Sequence, residues 1–523
     1  MSLRPKTAFG YCDILELKMN PIEKRLKKMW RNHWPLFGAL IIFFVASAYL
    51  IHYYIYQLNP DAVSYIAIAQ KYAHFDIRHA INGYWGPLIS WLLVPFIWLH
   101  LNPIIGAKLI NVLAGGGILV LLYLILKRFG LADRKLLTLF LFGLVPTLLV
   151  WTFPGPITPD ILFVLVLLGE VILLDNWLKR PSWLSSLALG ASGALLYFTK
   201  SFGFYLFIGQ LLVVLALDAY SQKRWRFNVQ SGAKVALFFL VIASPFIVAV
   251  SIKYHKPTIS TTGSYNLNSQ APKWITQPVI HPNQYGPLAP PNPSAYSASE
   301  DPGLFSEPHW SILGSRQNLK YFISLVWNNM QSIRDFIIGF GALSVVGFIT
   351  LIAMLLVYFK RAPGLKSITG VTVLLLCAGY SLVLVEGRYL WAIVPLALAG
   401  IAAFYVENTR RSKYPVLVYV MGLLLIISVI WTSWSPLFSN KYAGRDIYRY
   451  SMSLANQIPK GSRVVSNNTH MAMYTAYYDD FHSYGIIKPT SIAGRDNSLY
   501  QELKRFGVTY YIDYLNVQAP KYT

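Results

Sequence analysis

The chain has 523 residues, of which 55% are hydrophobic and only 13% are charged. Ordinary soluble domains carry about 25% charged residues, so this composition excludes a set of such domains and indicates a membrane protein with many spans. The net charge of +23 comes from Lys and Arg that gather at the ends of apolar runs. There they set orientation and meet anionic lipid, so we expect no nucleic-acid partner. With only Cys12 and Cys377, a disulfide framework is excluded.

Apolar runs of the length needed to cross a bilayer recur along the first 435 positions. They predict a polytopic α-helical membrane protein with about 11 transmembrane helices, the first of which stays in the membrane as a signal anchor. The runs cover residues 35–56, 105–126, 136–153, 161–178, 183–199, 202–218, 233–252, 335–359, 368–385, 389–406 and 415–433.

The basic clusters between the runs predict the topology. With all of them on the cytoplasmic side of the inner membrane, the runs alternate in direction without conflict. Residues 1–34 then form a basic cytoplasmic N-terminus, and residues 35–435 form the transmembrane domain, whose large external loops are 57–104 and 253–334. Residues 436–523 are predicted to form an extracytoplasmic domain.

Two parts of the external loops each allow two interpretations. The stretch "WGPLISWLLVPFIWLHLNP", residues 85–103, is short and carries Pro95. We interpret it as an interfacial helix, and the alternative is a short true span. The irregular stretch rich in Pro, Ser and Tyr within loop 253–334 either orders over a site or is a plain linker.

The C-terminal residues have the pattern of a small α/β domain. "SRVVSNN" and "GVTYYIDY" predict strands, and "SLYQELKRF" predicts a helix that stops at Gly507.

The first external loop opens with "LNPDAVSYIAIAQ", residues 58–70. Asn59 suits a helix cap, Pro60 suits the first helical position, and Asp61 lies in the first turn, where a carboxylate stabilises the helix end. The helix is amphipathic, as expected for a segment that rests on a bilayer surface. The same pattern, a polar residue followed by Pro and Asp, recurs as "TPD" at residues 158–160. Asp160 is therefore predicted on the same outer side. Both acids have a purely structural interpretation as first-turn residues.

Charged residues in apolar segments indicate a function for these acids. Lys200 lies between the fifth and sixth runs, and Glu386 and Arg388 lie between the ninth and tenth. Ionisable groups are costly in membrane segments and tend to line functional cavities. We therefore expect Asp61, Asp160, Lys200 and Arg388 to converge on one outer cavity that suits an anion such as a lipid phosphate. A salt bridge with Glu386, or snorkelling, is the structural alternative for Arg388.

Motifs of soluble enzymes are absent from the sequence. It contains no Walker loop, no His-Glu-Xaa-Xaa-His motif and no nucleophile elbow, and His52, His74 and His79 lack metal-binding spacing. No cofactor and no metal site are predicted; a divalent metal is possible, but no motif indicates one.

The order of these motifs resembles the GT-C superfamily of membrane glycosyltransferases, in particular the protein O-mannosyltransferase-like branch that includes bacterial lipid A aminoarabinose transferases. The matching pieces span most of residues 35–435. They are "NPDAVSYIAIAQ", "NGYWGPLISW", "TPDILFVLVLL", "LLYFTKSFGF" and "GRYLWAIVPLALAG".

The resemblance implies transfer of a sugar from a polyprenyl-phosphate carrier to a lipid, glycan or protein acceptor on the outer face, with inversion at the anomeric centre. Asp61 and Asp160 would correspond to the two catalytic loop acids, and Lys200 and Arg388 would steady the phosphate. Family members often carry Lys before the Pro of the interfacial helix, whereas this chain has Trp85 and Gly86. The further expected substrate-binding residues are Glu386, Tyr65, Tyr84 and Trp85.

Two other function classes remain open from the residues alone. A transporter or flippase of a lipid-linked anion would also place charges in a helical bundle. A non-catalytic assembly protein of the cell envelope would use the outer loop and the C-terminal domain as a binding platform.

Overall fold

Helices dominate the computed structural model of the chain. It describes residues 20–223, 225–275, 285–305, 310–339, 363–409, 435–493 and 497–514, with a few isolated positions between 347 and 427. The predicted fold class, a polytopic helical membrane protein with a small α/β part near the C-terminus, is confirmed.

The helices follow the apolar runs of the sequence. In chain order they are α1 (Pro21–Leu50), α2 (Pro60–Ala73), α3 (Ile77–Ala80), α4 (Leu88–Trp98), α5 (Pro103–Arg128), α6 (Arg134–Thr152), α7 (Asp160–Lys179), α8 (Trp183–Thr199), α9 (Phe202–Gln222), α10 (Trp225–Lys253), α11 (Thr262–Asn268), α12 (Arg316–Gly339), α13 (Leu365–Ser381), α14 (Ile393–Thr409), α15 (Arg445–Leu454), α16 (Thr469–Asp479), α17 (Pro489–Ala493) and α18 (Asn497–Arg505).

Seven helical segments of the described chain are long and apolar enough to cross a membrane, and α4, α8 and α13 are shorter apolar helices. The predicted runs 335–359 and 415–433 lie largely outside the described residues, as does most of the N-terminal segment before α1. The long segments are His33–Tyr53, Pro103–Arg128, Arg134–Thr152, Asp160–Lys179, Phe202–Gln222, Asn228–Lys253 and Gly387–Val406.

The helix predicted at the interface, α4, has 11 residues. At 1.5 Å per residue it is about half the length of the hydrocarbon core, which favours the interfacial interpretation over a span. It packs against α2 and α5, and Ser90 of α4 donates a hydrogen bond to the carbonyl oxygen of Tyr65 at 2.9 Å.

Helix α2 is enclosed by protein, which corrects the expectation that it rests on a bilayer surface. Its apolar face packs on α4. The polar face is also covered, because Ser64 donates to the carbonyl of Ser299 at 3.2 Å and Lys71 pairs with the buried Glu300. The amphipathic pattern therefore reflects an apolar helix contact on one side and an ion-paired loop on the other.

A four-stranded mixed sheet forms beside the C-terminal helices. Its order is β1–β3–β2–β4, and β2 runs parallel to both β3 and β4. The edge strand β1 comes from residues 253–334 and pairs antiparallel with β3, which ties that loop to the C-terminal part. The strands are β1 (Gly286–Pro287), β2 (Arg463–Ser466), β3 (His482–Ile486) and β4 (Tyr510–Ile512).

The two predicted strands and the predicted helix of the C-terminal part are present as β2, β4 and α18, and Gly507 ends that helix with a φ of +64°. Five further elements were not predicted: β1, α15, α16, β3 and α17. Helix α16 packs on α2, so the C-terminal part contacts the segment that follows the first span.

Candidate functional site

The site forms where the two Pro-Asp loops meet. Asn59 occupies the N-cap position of α2, but its side chain makes no capping hydrogen bond. Its Oδ1 instead accepts the backbone N–H of Ile157 at 2.8 Å. Asn59 thus joins the loop before Asp61 to the loop before Asp160, which brings the first turns of α2 and α7 to the same end of the bundle.

Asp160 is a buried, ion-paired carboxylate, and its side chain is only 3% exposed. Its Oδ1 accepts from Lys200 Nζ at 2.5 Å, and its Oδ2 accepts from the Thr158 hydroxyl at 2.5 Å. Lys200 reaches it from the extended junction between α8 and α9. Burial lowers the pKa of the Lys200 ammonium, and the Asp160 carboxylate partly offsets this effect.

Arg388 joins the remaining carboxylates. It lies in a 3₁₀ turn, Gly387–Leu390, between α13 and α14. Its Nη1 donates to Asp61 Oδ2 at 2.6 Å, its Nε donates to Glu386 Oε2 at 2.7 Å, and Nε lies 3.9 Å from Asp160 Oδ2. The salt bridge with Glu386 was one of the two structural alternatives for Arg388, whereas its contact with Asp61 was not foreseen.

One network of ion pairs joins Asp61, Asp160, Lys200, Glu386 and Arg388. Its members differ in how far they are exposed to the cavity. The side chain of Asp61 is 23% exposed and that of Glu386 is 42% exposed, against 3% for Asp160. A ligand in the cavity can therefore reach Asp61 and Glu386 directly, while Asp160 is covered. Arg388 and Lys200, 18% and 16% exposed, also reach the cavity.

Aromatic side chains form the wall beside the network. The ring of Tyr65 lies 5.0 Å from that of Trp85, and the ring of Tyr84 lies 4.6 Å from it, both edge to face. The Trp85 indole N–H donates to the carbonyl of Ser299 at 3.2 Å, which holds the ring in place. Burial raises the pKa of Tyr65 and of Tyr84 well above the ordinary value, so both hydroxyls remain hydrogen-bond donors.

Gly86 has a steric reason to be glycine. A Cβ at this position would lie 2.3 Å from the carbonyl oxygen of Thr199. Only glycine permits this approach of the α4 entry to the end of α8. The close contact supports the backbone immediately before Lys200, which supplies a basic group to this wall.

These groups line a cavity with a volume of about 760 Å³. This volume lies in the usual range for small-molecule sites, about 300–1,000 Å³. All eight residues that the sequence predicted for the site lie on its walls: Asp61, Tyr65, Tyr84, Trp85, Asp160, Lys200, Glu386 and Arg388.

Several wall residues were not foreseen. Tyr389 lies under Lys200, whose Nζ is 3.8 Å from the ring centroid, and Tyr380 stacks on Tyr389 with centroids 5.1 Å apart. The position of Tyr389 next to Arg388 was the available signal. Polar residues between Thr258 and Asn266 form another wall, and no motif marked them.

The described part of residues 253–334, predicted as an external loop, is anchored over this region. Lys71 pairs with Glu300, and Lys253 Nζ lies 2.6 Å from Asp301 Oδ2, both pairs being largely buried. Asn82 donates to the carbonyl of Glu300 at 2.7 Å. These contacts favour the interpretation of an ordered loop over that of a plain linker.

Within the described part of the chain, no three His, Cys, Asp or Glu side chains group as a metal ion would require. The network itself consists of paired carboxylates and cations. Such a network can bind an anion through its cations and accept a proton through an exposed carboxylate.

No protein-family model and no curated protein sequence matches the chain. Solved structures do. The fold is similar to that of ArnT from Cupriavidus metallidurans bound to undecaprenyl phosphate, with a TM-score of 0.52 and 14% identity over 91% of this chain and 90% of that one. It is also similar to the oligosaccharyltransferase AglB from Archaeoglobus fulgidus in complex with an inhibitory peptide and a dolichol-phosphate, with a TM-score of 0.52 and 11% identity over 92% of this chain and 70% of that one. The chain thus shares the overall fold of these two proteins, in agreement with the fold that its motifs led us to expect.

Proposed function

We propose that this protein is an integral membrane glycosyltransferase of the cytoplasmic (inner) membrane. It would move a sugar from a polyprenyl-phosphate carrier to an acceptor hydroxyl at the extracytoplasmic face. The observation that carries the proposal is the Asp61–Arg388 contact of 2.6 Å inside a charged cavity. The fold adds support, because ArnT and AglB are each described in complex with a polyprenyl-type phosphate.

The cations supply the phosphate end of the site. Lys200 and Arg388 approach the cavity from different junctions, between α8 and α9 and between α13 and α14. A guanidinium can donate to two phosphate oxygens at once, and an ammonium adds a compact charge. In this role they would bind the donor phosphate and stabilise the negative charge that grows on it as the bond to the sugar breaks.

The two aspartates have different environments and therefore different proposed roles. Asp61 is partly exposed to the cavity, so an incoming hydroxyl can reach it and transfer a proton to it. Asp160 is covered and hydrogen-bonded by Lys200 and Thr158. We therefore assign Asp61 as the base and Asp160 as the residue that holds Lys200 towards the phosphate.

The shared use of Arg388 couples donor binding to the base. Arg388 Nη1 donates to Asp61, and its Nε donates to Glu386. A phosphate that binds the guanidinium competes with both carboxylates for its N–H groups. Once Arg388 turns to the phosphate, Asp61 Oδ2 becomes available to the acceptor hydroxyl, so the base is released when the donor is in place.

The reaction then proceeds as one displacement. The acceptor oxygen attacks the anomeric carbon from the side opposite the phosphate, and its proton passes to Asp61. The bond between the anomeric carbon and the phosphate oxygen breaks, and its electron pair stays on the phosphate. The products are an inverted glycoside and free polyprenyl phosphate. Trp85 and Tyr84 offer aromatic surfaces against which the sugar would be positioned.

Purified protein in proteoliposomes tests the proposed reaction against transport. Polyprenyl-phosphate sugars with a labelled sugar are supplied with envelope lipids and glycans as acceptors, and glycosylated product and free polyprenyl phosphate are both measured. We expect the label in the acceptor, with an equal amount of free carrier. Movement of the labelled lipid between leaflets with no glycosylated product would favour the flippase instead.

A further inference from the structure

A second cluster of cations and aromatic rings lies away from the cavity, at the end of the first span. It joins the end of α1 to the segment that leads into α15. The cluster, called here the aromatic–cation cluster, consists of Tyr49, Tyr53, Phe438, Lys441, Tyr442 and Arg445.

The tyrosines fix its geometry. The hydroxyls of Tyr49 and Tyr53 are 3.0 Å apart, and the rings of Tyr53 and Tyr442 pack edge to face with centroids 5.3 Å apart. Tyr442 donates its backbone N–H to the carbonyl of Tyr53 at 3.0 Å, in a left-handed conformation with a φ of +64°. Gly444 follows with a φ of +82°, and a Cβ there would lie 2.2 Å from the carbonyl oxygen of Tyr56. The turn that carries both cations is thus held against the end of the span.

Lys441 and Arg445 flank the Tyr53–Tyr442 ring pair. Lys441 Nζ lies 4.6 Å from the Tyr53 centroid and 4.9 Å from the Phe438 centroid, and Arg445 Cζ lies 5.3 Å from the Tyr442 centroid. Among the described residues, neither side chain has a carboxylate partner or a hydrogen-bond acceptor, and Asp446 pairs with neither. Both cations therefore keep their N–H donors available for a ligand.

The position of the cluster indicates the kind of ligand. The first candidate span, His33–Tyr53, ends at Tyr53, so the cluster is expected at the edge of the hydrocarbon region. Tyr side chains are typical of this depth, where lipid phosphates lie. On the same face of α1, at intervals of four residues, Ile41, Val45 and Tyr49 are 52%, 65% and 54% exposed. This stripe is an open apolar surface directly below the cations.

We propose that the aromatic–cation cluster binds an acidic phospholipid. The headgroup phosphate would be held by Lys441 and Arg445, and an acyl chain would lie along Ile41 and Val45 on α1. The charges are complementary, and the apolar stripe continues from the headgroup position into the membrane. This site is separate from the cavity and does not depend on the proposed glycosyl transfer.

Thermal unfolding of the full-length protein in detergent micelles tests the site. Phosphatidylglycerol is titrated into the micelles, and phosphatidylcholine is titrated in parallel as the zwitterionic reference. We expect wild-type Tm to rise more with phosphatidylglycerol. In Lys441→Gln and in Arg445→Gln, the apparent affinity for phosphatidylglycerol is expected to fall about fivefold each, because a cation near a lipid surface contributes about that factor. Lys441→Arg should keep most of the difference between the lipids.

Lys460→Gln is the matched control, since Lys460 is an exposed cation of the C-terminal part, and it should behave as wild type. Each variant is compared with itself in the two lipids, so a loss of stability alone does not obscure the result. Equal Tm shifts with both lipids in wild type, or an unchanged preference in the Lys441→Gln/Arg445→Gln double variant, would overturn the site. A full shift with soluble glycerol phosphate would show a free-anion site and would overturn the lipid assignment.

Discussion

Asp61 and Arg388 are 327 residues apart in the chain, yet Arg388 Nη1 donates to Asp61 Oδ2 at 2.6 Å. The contact joins the first turn after the first span to the 3₁₀ turn before α14. Asp61, the proposed base, and the donor phosphate would therefore compete for the same guanidinium, that of Arg388. Binding of a phosphate to Arg388 would therefore release Asp61 Oδ2 from its hydrogen bond with Arg388.

Glu386→Gln should bind polyprenyl phosphate more tightly than the wild type does. Glu386 is 42% exposed and accepts from Arg388 Nε at 2.7 Å, so a phosphate has to displace it. Partly exposed ion pairs contribute about 0.2–1 kcal/mol, and removing the charge should strengthen binding by up to about fivefold. Equilibrium binding of labelled polyprenyl phosphate measures the change.

Glu502→Gln is the control for that change, because Glu502 is an exposed carboxylate on α18. It should leave the affinity unchanged. Weaker binding in Glu386→Gln would mean that Glu386 contacts the ligand favourably, through a sugar hydroxyl for example, and that it does not compete for Arg388.

Asp160→Asn should destabilise the protein as well as reduce transfer. The substitution leaves Lys200 without its carboxylate partner in a site where Asp160 is only 3% exposed. Removing one partner of a buried ion pair lowers the free energy of unfolding by about 3–5 kcal/mol. Thermal unfolding in detergent is the measurement.

The double variant Asp160→Asn/Lys200→Met separates stability from function. With both charges removed, much of the lost Tm should return, while binding of polyprenyl phosphate stays weak because the Lys200 ammonium is gone. A single Asp160→Asn variant with wild-type Tm would show that the pair contributes little to folding.

Asp479→Asn should stabilise the C-terminal part at neutral and higher pH. Asp479 accepts a hydrogen bond from Ser451, but its Oδ1 is buried without a partner. Burial raises its pKa from 3.8 to about 6. The folded state thus holds this proton more tightly than the unfolded state, so the stability of the wild type falls as pH rises from about 4 through about 6.

An Asn at this position avoids the charge and can still accept from Ser451. The free energy of unfolding should exceed that of the wild type by about 1–3 kcal/mol at pH 8, and the difference should shrink at pH 5. Urea unfolding at the two pH values tests this. Asp480→Asn, at the exposed neighbour, is the control and should not raise the free energy of unfolding at pH 8. A gain independent of pH in Asp479→Asn would contradict the assignment.

The sequence predicted the features that depend only on residues close together in the chain. A span needs a continuous apolar run, so α5, α7 and α9 were predictable from hydropathy alone. Pro60 and Asp61 follow rules for the first helical turn, and the structure has the helix start where those rules put it. The same reasoning placed Lys200 and Arg388 at span junctions, because a charge inside a span is costly.

The sequence was uninformative where partners are distant or small. Asn59 has the residue type of a helix cap, yet its side chain accepts from Ile157, 98 positions away, and does not cap α2. No local rule predicts this partner. The pattern of α2 shows one apolar face, but it does not show that an ion-paired loop covers the other face. The strand β1 has two residues, which is too short for a pattern.

Transfer from a labelled polyprenyl-phosphate sugar by purified, reconstituted Asp61→Asn protein tests the central claim most directly. Loss of a general base costs about 10²–10⁴-fold in rate, so we predict that transfer falls by that factor while binding of polyprenyl phosphate is kept. Asp76→Asn, which alters another acid of the same external loop, should transfer at the wild-type rate. Wild-type transfer by Asp61→Asn would contradict the account, because Asp61 would then not be the group that takes the acceptor's proton.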